Sequence, residues 1–138
     1  MFATLKPKYK MKISTHTTIL AIATIRIITG LSLAYHGLEV FDSTKIHEYA
    51  LWDSIKDLPF PVFMTYLGKG TELIGGILLA IGFFTRQACL ALAAIMLFIC
   101  FKLGNGKFWY EDQHPFLYFL LVMLFFFLGS GRFSLDKD

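Results

Sequence analysis

Four side chains carry most of the chemistry that this chain could perform inside an apolar environment: Arg26, His36, Lys69 and Glu72. Three are charged and sit within long hydrophobic stretches, where an ionised group costs about 2.5 to 3.5 kcal/mol to insert into a bilayer centre. Such groups need partners or a wet cavity. Arg26, counted from Thr18 at about 1.5 Å per residue, lies about 12 Å from one membrane boundary, and Glu72, counted from Val62, lies about 15 Å from the opposite one. The matched depths predict an Arg26–Glu72 ion pair. Lys69, one turn away from Glu72, then carries a surplus positive charge that snorkels into water or meets an acceptor such as a carbonyl or oxyanion.

Further polar groups extend this set. Thr29, Ser32, His36 and Glu39 form a stripe on one helical face, and His114 falls where it can approach His36. A histidine in such a place titrates, ligates or hydrogen-bonds a carbonyl, but two scattered histidines make no metal motif, and no metal site is expected. Cys89 and Cys100 lie eleven residues apart in one apolar run, about 16 Å along a helix, too far to bridge. They read as small packed hydrophobes. There is no CxxC, no haem-ligand pair at matching depth and no dinucleotide-binding glycine loop, so no intrinsic redox cofactor is expected.

The elements that must position these groups follow from composition. Of 138 residues, 56% are hydrophobic and 17% aromatic, with fifteen Phe, while only 17% are charged. A soluble domain carries roughly 25% charged residues, so much of the solvent of this chain is lipid. The net charge of +3 is dispersed and gives no nucleic-acid surface. Four apolar stretches, about 17–41, 62–85, 86–103 and 115–131, predict an all-α, polytopic membrane four-helix bundle over 17–132. It is flanked by a basic leader, 1–16, and a short tail, 133–138. An arginine in the first apolar stretch and no small-x-small cleavage site argue that this stretch is not a signal peptide. Asp42 to Asp57 reads as a polar, acidic loop.

With the N-terminus inside, the cytoplasmic side holds Lys6, Lys8, Lys10, Lys12, Arg86, Arg132 and Lys137, seven bases, against four outside, Lys45, Lys56, Lys102 and Lys107. Both termini are therefore expected in the cytoplasm. Trp52, Tyr66, Trp109 and Tyr110 suit an outer aromatic belt. Gly68, Glu72, Gly75, Leu79 and Gly82 share one face of the second stretch, and Arg26, Gly30, Leu33 and Gly37 share one of the first. These small-residue faces are expected to meet.

The order of Arg26, Tyr35-His36-Gly37-Leu38, Glu72-Leu73-Ile74-Gly75-Gly76, Gly82-Phe83-Phe84-Thr85-Arg86 and the closing Gly129-Ser130-Gly131-Arg132-Phe133-Ser134-Leu135-Asp136 resembles the DoxX family over about residues 18 to 136. The resemblance implies a small four-helix protein of a bacterial-type inner membrane. The family is associated with quinone- and sulfur-linked oxidoreduction and includes a subunit of thiosulfate:quinone oxidoreductase. Where that family often has a basic residue after His-Gly-Leu, this chain has Glu39. Three functions compete. One is a redox-linked membrane subunit binding a small amphipathic ligand, such as a quinone, through Arg26, His36, Lys69 and Glu72, with a partner protein supplying the redox centre. The others are a noncatalytic scaffold that assembles with other proteins or with copies of itself, and a small transporter, for which four short spans leave little room.

Overall fold

The structure, a computed structural model, describes residues 14–137, so the basic leader from Lys6 to Lys12 lies outside the described residues. The described chain is helical, with no strand among those residues. Helix α1 spans Thr15–Gly37 and starts at Ser14, whose hydroxyl accepts from the Thr17 N–H. A 3-10 turn, Leu38–Phe41, continues it. A short helix α2, Ser43–Ala50, then replaces the expected polar loop; Asp42 caps it by accepting from the Lys45 N–H at 3.2 Å. Eight residues are too few to give a strong periodic signal, although an Asp before Ser-Thr is a helix-start signature.

Helix α3, Pro61–Ile81, opens with proline in its first turn, where the missing N–H costs nothing. It ends at Gly82, whose positive φ of 67° suits glycine. Helix α4, Thr85–Phe98, passes into a π-helical turn, Ile99–Leu103. The following loop is organised by Asp112, whose carboxylate accepts from the N–H groups of Asn105 (3.0 Å) and Lys107 (2.9 Å). Helix α5 is Gln113–Leu128.

Helix α3 packs on α1 and α4, and α4 packs on α5. One cluster joins all four long helices: Leu33, Leu79, Cys89, Leu92, Ala93, Met96, Val122 and Phe125. Outside it, large apolar side chains face away from the protein on every long helix, among them Ile28, Leu31, Ile74, Leu90, Leu117 and Phe127. Water would penalise so broad an apolar exterior, whereas lipid accepts it. Thr15–Phe41 and Thr85–Leu103 are long and apolar enough to cross a membrane. Helix α5 is apolar but shorter, at 16 residues, and α3 carries Lys69 and Glu72.

The helices meet on small residues, but in a different register from the expected one. A methyl group added at Gly30 would lie 2.6 Å from the Gly76 carbonyl oxygen, and one at Gly76 would lie 2.7 Å from the Gly30 carbonyl oxygen. Gly37 abuts Leu73, whereas Gly75 abuts Leu92 of α4. The 73–76–80 face of α3 therefore meets α1, and the face bearing Gly75 turns to α4. Helix α3 has glycine on both faces, so glycine spacing alone could not choose between them. In this register Arg26 lies level with Gly82, where an added methyl would sit 2.8 Å from Nη1. Ten residues, about 15 Å, separate that level from Glu72.

Candidate functional site

Arg26 and Glu72 consequently do not form the expected ion pair. Arg26 is fully buried, and its guanidinium donates to the carbonyl oxygens of Ser130 and, at 2.6 Å, Phe133. It anchors the chain after α5 to the end of the bundle where α3 stops and α4 begins. That segment also pairs with the α3–α4 turn: the Leu135 N–H donates to the Ile81 carbonyl and the Asp136 N–H to the Gly82 carbonyl, at 3.2 and 2.8 Å. The Asp136 carboxylate then accepts from the N–H groups of Phe84 and Thr85, both at 2.9 Å. These are donors that a helix start leaves unpaired. The Thr85 and Phe84 N–H groups, with Arg26 nearby, hold the Asp136 carboxyl below the usual carboxylate range.

At the opposite end, four charged groups converge from three elements. Lys69 and Glu72 come from adjacent turns of α3, Glu39 from the 3-10 turn after α1, and Lys45 from α2. Lys69 Nζ lies 3.0 Å from Glu39 Oε2 and 3.1 Å from Glu72 Oε2. Lys45 Nζ lies 3.2 Å from Glu39 Oε1, and the Tyr49 hydroxyl donates to Glu39 Oε2 at 2.9 Å. Lys69 also sits over the Tyr49 ring, 5.5 Å from its centroid. Burial and the hydrogen bond to Glu39 push the Tyr49 phenol up, and the Glu39 carboxylate raises the Lys45 ammonium.

Two carboxylates and two ammonium groups balance, so the surplus charge expected on Lys69 does not exist. Glu39, read from sequence only as part of a polar stripe and as a departure from a family pattern, supplies the second acid. The available signal was an acid at the end of a span with a lysine six residues on, but the helical wheel of α1 could not show it turning toward α3 after the 3-10 tightening.

Lys69 and Glu72 line a cavity of about 430 Å³ between α2, α3 and α4. Its other walls are almost entirely apolar, including Trp52, Ile55, Met64, Ile95 and Phe98. Side-chain exposure rises along the charged chain from Glu72 (5%) through Lys69 (19%) and Glu39 (25%) to Lys45 (49%), so the polar network leads from solvent to the cavity floor. The arrangement can hold an amphipathic molecule, apolar body in the cavity and polar head at Glu72.

His36 and Arg26 do not line this cavity. His36 instead meets His114 of α5, with ring centroids 5.7 Å apart, and Tyr118, at 6.4 Å. Tyr118 shares a hydrogen bond with Ser32 across a shallower groove lined by Thr29, Ser32, His114 and Tyr118. The four candidate residues thus divide among three places: Lys69 and Glu72 at the cavity, His36 against the rings of His114 and Tyr118, and Arg26 at the tail.

A family model described as DoxX matches residues 21–105, more than half of the chain. The chain belongs to the DoxX family. The match runs from α1 through the π-helical turn and so contains Arg26, Glu39, Lys69 and Glu72, while α5 and the tail lie beyond it. A protein of Haemophilus influenzae, described only as an uncharacterized protein, is 34% identical over 108 residues, covering 64% of this chain and 80% of the relative. No solved structure matches the chain. With the family and the apolar helices together, this DoxX protein is membrane-associated.

Proposed function

We propose that this DoxX protein is a multi-pass inner-membrane subunit, with both termini in the cytoplasm, that binds a small amphipathic ligand for a quinone- or sulfur-linked redox system. The observation that carries the reading is the 430 Å³ cavity, apolar on its walls and charged only at Lys69 and Glu72. Largely apolar pockets with a few convergent polar groups are the usual form of a small-molecule site. Because two acids and two bases balance in the adjoining network, the site suits a neutral head better than an anion, and a quinone-type molecule has that character. The chain's own residues bind and orient; a partner protein supplies the electrons.

A scaffold is the second reading, and a specific feature favours it. Lys69 is already satisfied by two carboxylates, so the network closes without a ligand and can serve only to fix α1, α2 and α3 in register. Purification in mild detergent, followed by organic extraction and mass spectrometry, separates the two. A neutral amphiphile recovered in near-stoichiometric amount from the wild type, and lost from a folded Gly68→Leu variant, supports the ligand site. No recovered amphiphile from either protein supports the scaffold.

A further inference from the structure

The polarity of the cavity floor restricts what can bind there. Glu72 accepts from Lys69 through Oε2, and its side chain makes no other hydrogen bond among the described residues, so its second oxygen remains an acceptor. Most donors around it are occupied. Two of the three Lys69 N–H bonds go to Glu39 and Glu72 and the Tyr49 ring lies 5.5 Å from Nζ, the Tyr49 hydroxyl donates to Glu39, and the Thr65 hydroxyl donates to the Pro61 carbonyl at 2.9 Å. The side-chain donors left in the lining are the third Lys69 N–H, beside the Tyr49 ring, and the Trp52 indole N–H, which belongs to a half-exposed residue. A carboxylate accepts and cannot donate.

From this asymmetry we infer that the cavity selects a neutral amphiphile whose head donates a hydroxyl hydrogen bond, an alcohol, phenol or quinol, over one whose head offers only carbonyl or ether oxygens. Glu72 is the acceptor. A hydroxyl head gains a charge-assisted hydrogen bond at the floor, whereas an acceptor-only head meets a carboxylate oxygen with nothing between them and loses its own hydration on entry. For a quinone-linked system the reduced form is therefore the one held. The inference deepens the ligand reading above and rests on it.

The test uses the full-length protein in nanodiscs and two probes of nearly equal shape, 4-octylphenol and 4-octylanisole, titrated by calorimetry. The phenol should bind at least about tenfold more tightly, the effect of one hydrogen bond to a charged group. In Glu72→Gln, Lys69 keeps the amide oxygen and the amide NH2 faces the cavity, so the preference should vanish or reverse. Gly68→Leu places bulk in the cavity lining at a position where an added Cβ meets nothing within 4 Å, and it should abolish binding of both probes. Equal affinities in the wild type, with binding still lost in Gly68→Leu, would overturn the hydroxyl preference and leave the cavity a ligand site. Failure of both probes to bind the wild type would overturn the ligand reading as well. If Glu72→Gln does not fold, the wild-type ratio decides alone.

Discussion

Removing the Asp136 carboxylate should destabilise the protein by about 2 kcal/mol near neutral pH. Helix α4 starts at Phe84, which has a left-handed φ of 46° and offers no side-chain cap of its own. Its first N–H groups depend on a residue 51 or 52 positions away in sequence, bound twice at 2.9 Å. A lost cap costs about 0.5 to 2 kcal/mol, and two bonds to an ionised acceptor place Asp136→Ala at the top of that range. Asp136→Asn keeps one acceptor oxygen and should lose about half as much. The pH dependence follows from the same bonds. The folded carboxyl titrates below the unfolded value of about 3.9, so its stabilisation is complete above about pH 4 and disappears as pH falls through the folded value. Unfolding of detergent-solubilised wild type and variants, compared at pH 7 and near pH 3, should show the full gap at the first and a smaller one at the second. An Asp136→Ala protein as stable as wild type at pH 7, or equally impaired at both pH values, would refute the trans-capping role.

Three other outcomes are expected. Lys69→Met should cost about 3 to 5 kcal/mol because Glu72 loses the cation it is hydrogen-bonded to, while the double change Lys69→Met with Glu72→Met should recover most of that loss; unfolding midpoints of the two variants measure the difference. Gly30→Val should destabilise by about 1 to 3 kcal/mol or more through its contact with the Gly76 carbonyl, whereas Gly68→Ala, with open space around it, should be neutral or stabilising by up to about 1 kcal/mol in the same assay. A reporter fused after Asp138 should be active only in the cytoplasm and one inserted after Lys107 only outside, as the seven-to-four distribution of bases requires.

The apolar stretches, the glycine face of α1 and the three charges within the apolar stretches were legible in the sequence, because helical periodicity and the cost of burying an ion act locally, whereas the face of α3 that meets α1 was not. Nor was the choice of charge partner. It depends on how far α1 slides along α3, and that is set by which glycines touch: Gly30 on Gly76 and Ala80, Gly37 on Leu73. One shift of register moves Arg26 from the level of Glu72 to that of Gly82. Counting residues from assumed membrane boundaries cannot detect such a shift, since the boundaries of the two stretches need not coincide. Helix α2 was missed for its length, and with it the position of Lys45 and Tyr49 beside Glu39.

The register also explains why the two ends of α1 carry opposite tasks. At the end near Arg26, a buried guanidinium meets carbonyl oxygens and the tail's acid meets helix N–H groups, so charges are spent on holding backbone, and substitution there should alter stability alone. At the other end the charges meet one another and one carboxylate oxygen of Glu72 stays unshared beside an apolar cavity. A network built only to lock helices has no need of that unshared oxygen or of the space next to it. Glu72→Gln, which preserves volume and one contact to Lys69, is therefore the substitution most able to separate binding from stability: it should alter ligand preference strongly while changing the unfolding midpoint less than Lys69→Met does. If the two variants lose stability equally and recovered ligand is unchanged, the charges at this end serve the same structural task as Arg26 does at the other.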